Sequence, residues 1–158
     1  VSKEDHIYKM FADSSTHNAV LNYNVLTNPK TTRTDDEVQN LVIPSELNGV
    51  KITKIGGSFA DKVDYLGLGL KSVVIPNGIT EIGDSAFSGN QLTSVTIPSS
   101  VTSIGSAAFV INPNLTKIVN KTGKSFDWNS ICGATSGAAF VTGTVKVSDT
   151  QTIEIVAE

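Results

Sequence analysis

Between Leu70 and Asn114 the apolar positions follow no helical period and do not alternate strictly; they fall into a block that is written twice. Leu70, Val73, Ile75, Ile79, Ile82, Ala86 and Phe87 return as Leu92, Val95, Ile97, Val101, Ile104, Ala108 and Phe109, a constant shift of 22 residues. A unit of that length cannot bury its apolar edge alone. Each unit is therefore predicted to stack on the next, as in a solenoid, and to share one continuous core.

Within a unit, Leu92, Val95 and Ile97 place aliphatics on one side of a short strand, and Pro98 removes a donor and ends the pairing run. Val101 and Ile104 form a second apolar edge after a Ser-Ser turn, and Gly105 is read as permitting a sharp bend. The Ala108-Phe109 pair plugs the wide end of the coil. Residues between the buried aliphatics point outward: Ser72 and Val74, then Ser94 and Thr96, then Lys117 and Val119. Asn90 and Asn112 each follow their Phe by three residues. Two readings stand for them: an amide stack bonding the backbones of neighbouring coils at a buried corner, or ordinary turn asparagines.

The pattern L-x-x-V-x-I-P-x-x-V-T-x-I-G-x-x-A-F-x-x-N, carried by Leu70–Gln91 and again by Leu92–Asn114, resembles the BspA-like, or Treponema pallidum-type, leucine-rich repeat. The run from Val42 through Ile43, Pro44 and Gly49 to Lys51–Gly56 is similar to the longer first repeat of that family, and LTKIVNKTGKSFDW, ending at Trp128, to its closing unit. The resemblance implies a bacterial surface or secreted protein whose repeat face binds another protein, a host matrix component or a cell-wall partner. The terminal units depart from the pattern. Ile43 to Ile52 is nine residues where Ile75 to Ile79 is four, so five extra residues bulge out; Phe59 and Ala60 come in reversed order; and Asn120 stands where Ile75 and Ile97 sit, with no Pro after it. Such units are expected to cap a stack.

The flanks carry weaker patterns. Ser2 with Asp5 resembles a capping box, and Ile7, Met10 and Phe11 share one face of a short helix over Lys3–Ala12, either a docking helix or a cover for the first coil. Ala19–Leu26 reads as an edge strand beside the first repeat, and Asn28–Asn40 as a loop or hairpin. Beyond the repeats, Trp128 is read either as a lid on the open hydrophobic end or as a carbohydrate or partner platform. Val141–Val147 and Thr152–Val156 alternate about a Ser148-Asp149 turn, which predicts a terminal hairpin.

Composition changes the picture little. At 158 residues and 39% hydrophobic the chain forms one domain, with only 17% charged residues against about 25% in typical soluble domains. Its polarity is carried instead by 17 Ser and 17 Thr, which favours β structure and an uncharged outer face. A net charge of −3 without a Lys or Arg cluster gives no footprint for nucleic acid, and no apolar run is long enough for membrane insertion. An export signal is expected to have been removed or to lie outside the chain. Cys132, the single cysteine, is either a small buried residue or an exposed thiol that pairs between molecules.

Candidate chemistry is sparse. Gly123-Lys124-Ser125 ends like a phosphate loop, but Ile118 stands where the first glycine belongs. His6 and His17 have no ligand partners at metal spacing, and Asp35, Asp36 and Glu37 are adjacent rather than spaced as in a calcium loop. No catalytic, metal or cofactor residues are expected.

These readings combine into a β-rich leucine-rich-repeat solenoid of about four coils. It has an N-terminal short helix and strand cap (residues 1–40), repeats (41–128) and a C-terminal cap and hairpin (129–158), in one structural domain. The expected role is a non-catalytic, adhesin-like protein-interaction module, secreted or at the cell surface. The alternatives are a passive spacer in a larger surface protein and, with less weight, an enzyme whose site lies in the flanks. Candidate protein contacts are Tyr65 and Leu66, in the insertion between Phe59 and Leu70, and the outward ladder Ser72, Val74, Ser94, Thr96, Lys117 and Val119.

Overall fold

Each 22-residue unit folds into two short strands separated by a turn at its proline, because the apolar positions lie close on either side of a residue that cannot donate to a ladder. The computed structural model describes residues 9–13, 18–22, 40–43, 45–47, 50–55 and 70–158. In chain order the strands are β1 (Lys9–Asp13), β2 (Asn18–Asn22), β3 (Asn40–Val42), β4 (Glu46–Leu47), β5 (Val50–Ile55), β6 (Ser72–Val74), β7 (Glu81–Ile82), β8 (Ser94–Ile97), β9 (Ser103–Ile104) and β10 (Lys117–Asn120). A five-residue helix, α1 (Trp128–Cys132), then precedes β11 (Gly143–Lys146) and β12 (Thr152–Val156).

Strands at equivalent positions lie side by side and parallel. β8 pairs with β10 (Ser94↔Lys117, Ile97↔Asn120), β3 with β6 (Asn40↔Ser72, Val42↔Val74), and β5, β7 and β9 pair in succession (Lys54↔Glu81↔Ser103, Ile55↔Ile82↔Ile104). Threonines reinforce the second line. Thr80 donates both its N–H, at 2.7 Å, and its hydroxyl, at 3.2 Å, to the Thr53 carbonyl, and Thr102 repeats this towards Thr80 at 2.8 and 3.1 Å. The Thr53 hydroxyl itself is buried with no hydrogen-bond partner among the described residues. It lies between Ile52 and Lys54, where the pairing of β2 with β5 slips register.

The core is the one that the repeat predicts. Leu70, Val73, Ile75, Ile79, Ile82, Ala86 and Phe87 are buried, as are their counterparts through Phe109, with Ile104 partly covered. Phe87 and Phe109 stack with ring centroids 5.5 Å apart and planes within 5°. Gly105 acts by close approach rather than by a bend: a Cβ there would lie 2.7 Å from Asp84 Cα and nearer still to the Asp84 amide nitrogen. Its neighbour along the stack therefore excludes any side chain.

At the C-terminal end, elements outside the repeat pattern take over the repeat's bonds. The Ser85, Phe87 and Gly89 amides donate to Ser106, Ala108 and Val110 one unit on, and the Ala107 and Phe109 amides donate to Ser130 and Ile131 of α1 at 3.1 and 3.0 Å. β12 lies parallel to β10 (Ile118↔Ile155) and antiparallel to β11, giving the order β11-β12-β10-β8. The hairpin expected from sequence is therefore present and also extends the repeat sheet.

The N-terminal reading needs correction. Lys9–Asp13, which overlaps the end of the Lys3–Ala12 segment expected to be helical, forms a strand antiparallel to β2 with Lys9↔Asn22 through Asp13↔Asn18 in register. A helix of about ten residues is marginal on its own, and a five-residue ladder satisfies the backbone instead. β2 does lie beside the first repeat, parallel to β5, but β1 rather than β2 forms the edge. The extra residues of the first unit form a hairpin in which Glu46 pairs with Lys51 and Leu47 with Val50. Lys3–Tyr8, the segment from Tyr23 to Gln39, the Phe59-Ala60 pair, and Tyr65 and Leu66 lie outside the described residues.

Candidate interaction surface

The outer face of the first strand line carries two rows set by the strand registers. One runs through Asn40 and Ser72 and, in the second sheet, Ser94, Lys117, Glu154 and Thr144. The other runs through Val42 and Val74 and, in the second sheet, Thr96, Val119 and Val156. In the first row neighbouring side chains bond to each other: Ser72 Oγ donates to Asn40 Oδ1 at 2.9 Å, and Thr144 Oγ1 donates to the Glu154 carboxylate at 3.0 and 3.1 Å. In the second row Val42 and Val74 are 63% and 53% exposed, so an apolar pair faces solvent across one strand step.

Of the outward residues expected from sequence, Ser72, Val74, Ser94, Thr96 and Lys117 are exposed as predicted. Val119 is not. It is 9% exposed, between Thr96 on one neighbouring strand and Val156 on the other. Sequence reasoning missed Val42, which the V-I-P run of the first repeat already marked as the counterpart of Val74. It also missed Ile111, 69% exposed at φ +55°, at the position occupied one unit earlier by Gly89. A β-branched residue rarely adopts that backbone region.

The corners between the strand lines are held by buried amides, which decides between the two readings of the asparagines. Asn90 Oδ1 accepts from the Leu70 N–H at 3.2 Å, and Asn112 Oδ1 from the Leu92 N–H at 3.2 Å, so each asparagine closes its own coil. Asn112 Nδ2 also donates to the Phe87 carbonyl at 3.0 Å and ties one coil to the last. Asn120, in the closing unit, donates to the Lys124 and Val141 carbonyls and accepts from the Thr122 N–H, drawing the flank onto the core.

Trp128 is fully buried and donates its indole N–H to the Phe140 carbonyl at 2.9 Å, so it offers no exposed platform. Asp127 caps α1, and hydrogen bonds from Ser136 Oγ, at 2.6 Å, and from the Ser130 N–H hold its carboxyl below the usual range. Cys132 is buried, and desolvation pushes its thiol up to about 12. Among the described residues no group of three metal-ligating side chains occurs, and no helix is long and apolar enough to cross a membrane.

With this geometry in place, the chain can be set beside known proteins. Residues 64–129 match the family described as the BspA type leucine rich repeat region (6 copies). No curated protein matches. Among solved structures the chain is similar to the crystal structure of the T. pallidum leucine rich repeat protein TpLRR, at 15% identity over 75% of this chain and 70% of that one, with a TM-score of 0.38. The stacked 22-residue units and their asparagine corners fall within that match, so over residues 64–129 this chain is similar to the BspA type leucine rich repeat region.

Proposed function

We propose that this chain is a protein-interaction module of a bacterial surface or secreted protein. In this reading it is a solenoid of about four coils, capped at its N-terminal end by the β1–β2 hairpin and at its C-terminal end by α1 and the β11–β12 hairpin. Leucine-rich repeats generally mediate protein–protein interaction. The observation that carries the proposal is the exposed Val42–Val74 pair, flanked by Ser72, Ser94, Thr96 and Lys117, on the outer face of parallel strands. A small apolar centre inside a polar rim is the usual anatomy of a protein contact. Tyr65 and Leu66, next to the first full unit in sequence, are proposed as a second contact. The partner is a matrix or envelope protein with an apolar patch.

A binding screen against purified matrix and envelope proteins, repeated with Val42→Asp/Val74→Asp, with Tyr65→Ala and with the Ser72→Ala/Ser94→Ala/Lys117→Ala triple variant, tests this. Loss of binding in the valine variant, with an unchanged unfolding transition, supports the face. Binding that survives the valine and triple variants refutes it.

The spacer reading is favoured by a separate observation. The row from Asn40 to Thr144 is small and partly bonded within itself, and it contains neither aromatic nor arginine, the residues that usually anchor partners. If no protein binds in the screen while the folded chain separates attached domains at constant distance, the spacer reading stands.

A further inference from the structure

The two proline turns of the repeats are built differently. In the second unit Pro98 O accepts from the Val101 N–H at 3.2 Å across Ser99-Ser100. In the first, Pro76 O accepts from the Ile79 N–H at 3.4 Å across Asn77-Gly78, with Gly78 at φ +109°. That is the type II arrangement, which calls for glycine at its third position. The result is an asparagine followed by glycine, both exposed, with nothing within 4 Å of where a Gly78 Cβ would stand. The backbone nitrogen after an asparagine can attack the side-chain amide carbon, and glycine puts no side chain in the way. Asn90, Asn112 and Asn120 offer the contrast: each is buried, with its amide hydrogen-bonded, and none is followed by glycine.

We infer that Asn77 is a site of spontaneous deamidation whose rate is set by the Ser100 hydroxyl of the neighbouring unit. Ser100 Oγ accepts from the Gly78 N–H at 3.0 Å and donates to the Ile79 carbonyl at 2.7 Å. This bond holds the proton that must leave before Gly78 N becomes nucleophilic. In the reaction the Gly78 N–Asn77 Cγ bond forms, the Cγ–Nδ2 bond breaks, and ammonia departs with that proton. Water, the only co-reactant, then opens the cyclic imide at either carbonyl to leave aspartate or isoaspartate. The product adds one negative charge, taking the chain from −3 to −4, beside a turn whose next residue, Ile79, is fully buried. The isoaspartate form also adds a methylene to the main chain at that point.

The test is peptide mapping by mass spectrometry of the full chain aged at 37 °C and mildly alkaline pH, with isoelectric focusing for the charge. Asn77 is expected to convert faster in urea than in the folded state. Ser100→Ala is expected to raise the folded-state rate about fivefold, the equivalent of about 1 kcal/mol for one net hydrogen bond, and Ser100→Thr to restore it. Peptide mapping separates Asn77 from the second Asn-Gly pair, Asn48-Gly49. An unmodified Asn77 in urea overturns the site. Equal folded-state rates in wild type and Ser100→Ala overturn the role of Ser100, as do equal rates in urea and in the folded state should Ser100→Ala fail to fold.

Discussion

Replacing Asn112 with alanine asks how much of this fold rests on its buried amide corners. The side chain makes four contacts: Oδ1 accepts from the Leu92 N–H at 3.2 Å, and Nδ2 donates to the carbonyls of Phe87 and Phe109, each at 3.0 Å, and of Val110 at 3.2 Å. Truncation does not orphan all four partners. The Phe87 carbonyl keeps a donor in Asn90 Nδ2, and the Val110 carbonyl keeps the Gly89 N–H. The Leu92 N–H and the Phe109 carbonyl lose theirs. Two buried groups left unsatisfied, at about 1–3 kcal/mol each, give a loss of about 4 kcal/mol. That is a large part of a total stability of about 5–15 kcal/mol.

Urea unfolding followed by circular dichroism reads this directly, as a midpoint lowered by about 2 M at unchanged slope. Asn114→Ala is the control. Asn114 is exposed and makes one side-chain bond, to Gln91 Oε1 at 3.0 Å, so its loss should stay within about 0.5 kcal/mol. Asn112→Asp keeps the acceptor for Leu92 but turns a carboxylate towards three carbonyl oxygens. Its deficit should deepen as pH rises and the acid ionises. Equal midpoints for Asn112→Ala and Asn114→Ala would refute the claim that the corner amides hold the coils.

Three further outcomes follow from the same geometry. Phe109→Ala removes a ring that is 1% exposed and stacked on Phe87, and should cost about 3–5 kcal/mol, whereas Thr96→Ala on the exposed row should cost under about 0.5 kcal/mol; comparable losses in urea melts would mean that the faces are misassigned. Cys132, buried with its thiol pushed up to about 12, should label with a thiol reagent far more slowly in the folded chain than in urea, and equal rates would remove it from the core. The Asp127 carboxyl lies below its ordinary 3.8 chiefly because Ser136 donates to it; a lowered folded value gives stability that is present above 3.8 and lost as pH falls through the lower folded value, so the acid-side fall in the urea midpoint should be shallower in Asp127→Asn than in wild type.

The repeat was legible because it is local. A shift of 22 residues aligned Leu70 through Phe87 with Leu92 through Phe109, and the buried set follows that alignment. The asparagine corners were legible in position but not in bonding, since a turn asparagine and a buried one look the same in sequence. The first-unit hairpin carried a signal that was not used: Asn48-Gly49 between Glu46-Leu47 and Val50-Lys51 is a favoured two-residue hairpin turn. Lys9–Asp13 offered no such signal. Met10 and Phe11 suit either state, and the choice was made by a partner strand and its alignment with β5.

The C-terminal end shows why the remainder was hidden. Val141–Val147 and Thr152–Val156 read as a hairpin, but the alignment of Ile155 with Ile118 in a parallel pair joins residues 37 apart through a helix and a loop that match no repeat position. Parallel pairing needs a long crossover, so no short window of sequence encodes it. Helix α1 was missed for a related reason: at five residues it has no period to detect, and its place is fixed by two carbonyls, of Ser130 and Ile131, that accept from Ala107 and Phe109. What the last full unit requires of its neighbour is thus a set of backbone positions rather than the repeat's side chains. α1 and β12 meet that requirement without the motif. β11 then runs antiparallel beside β12, and a further unit of the repeat type would find no parallel strand on which to lie.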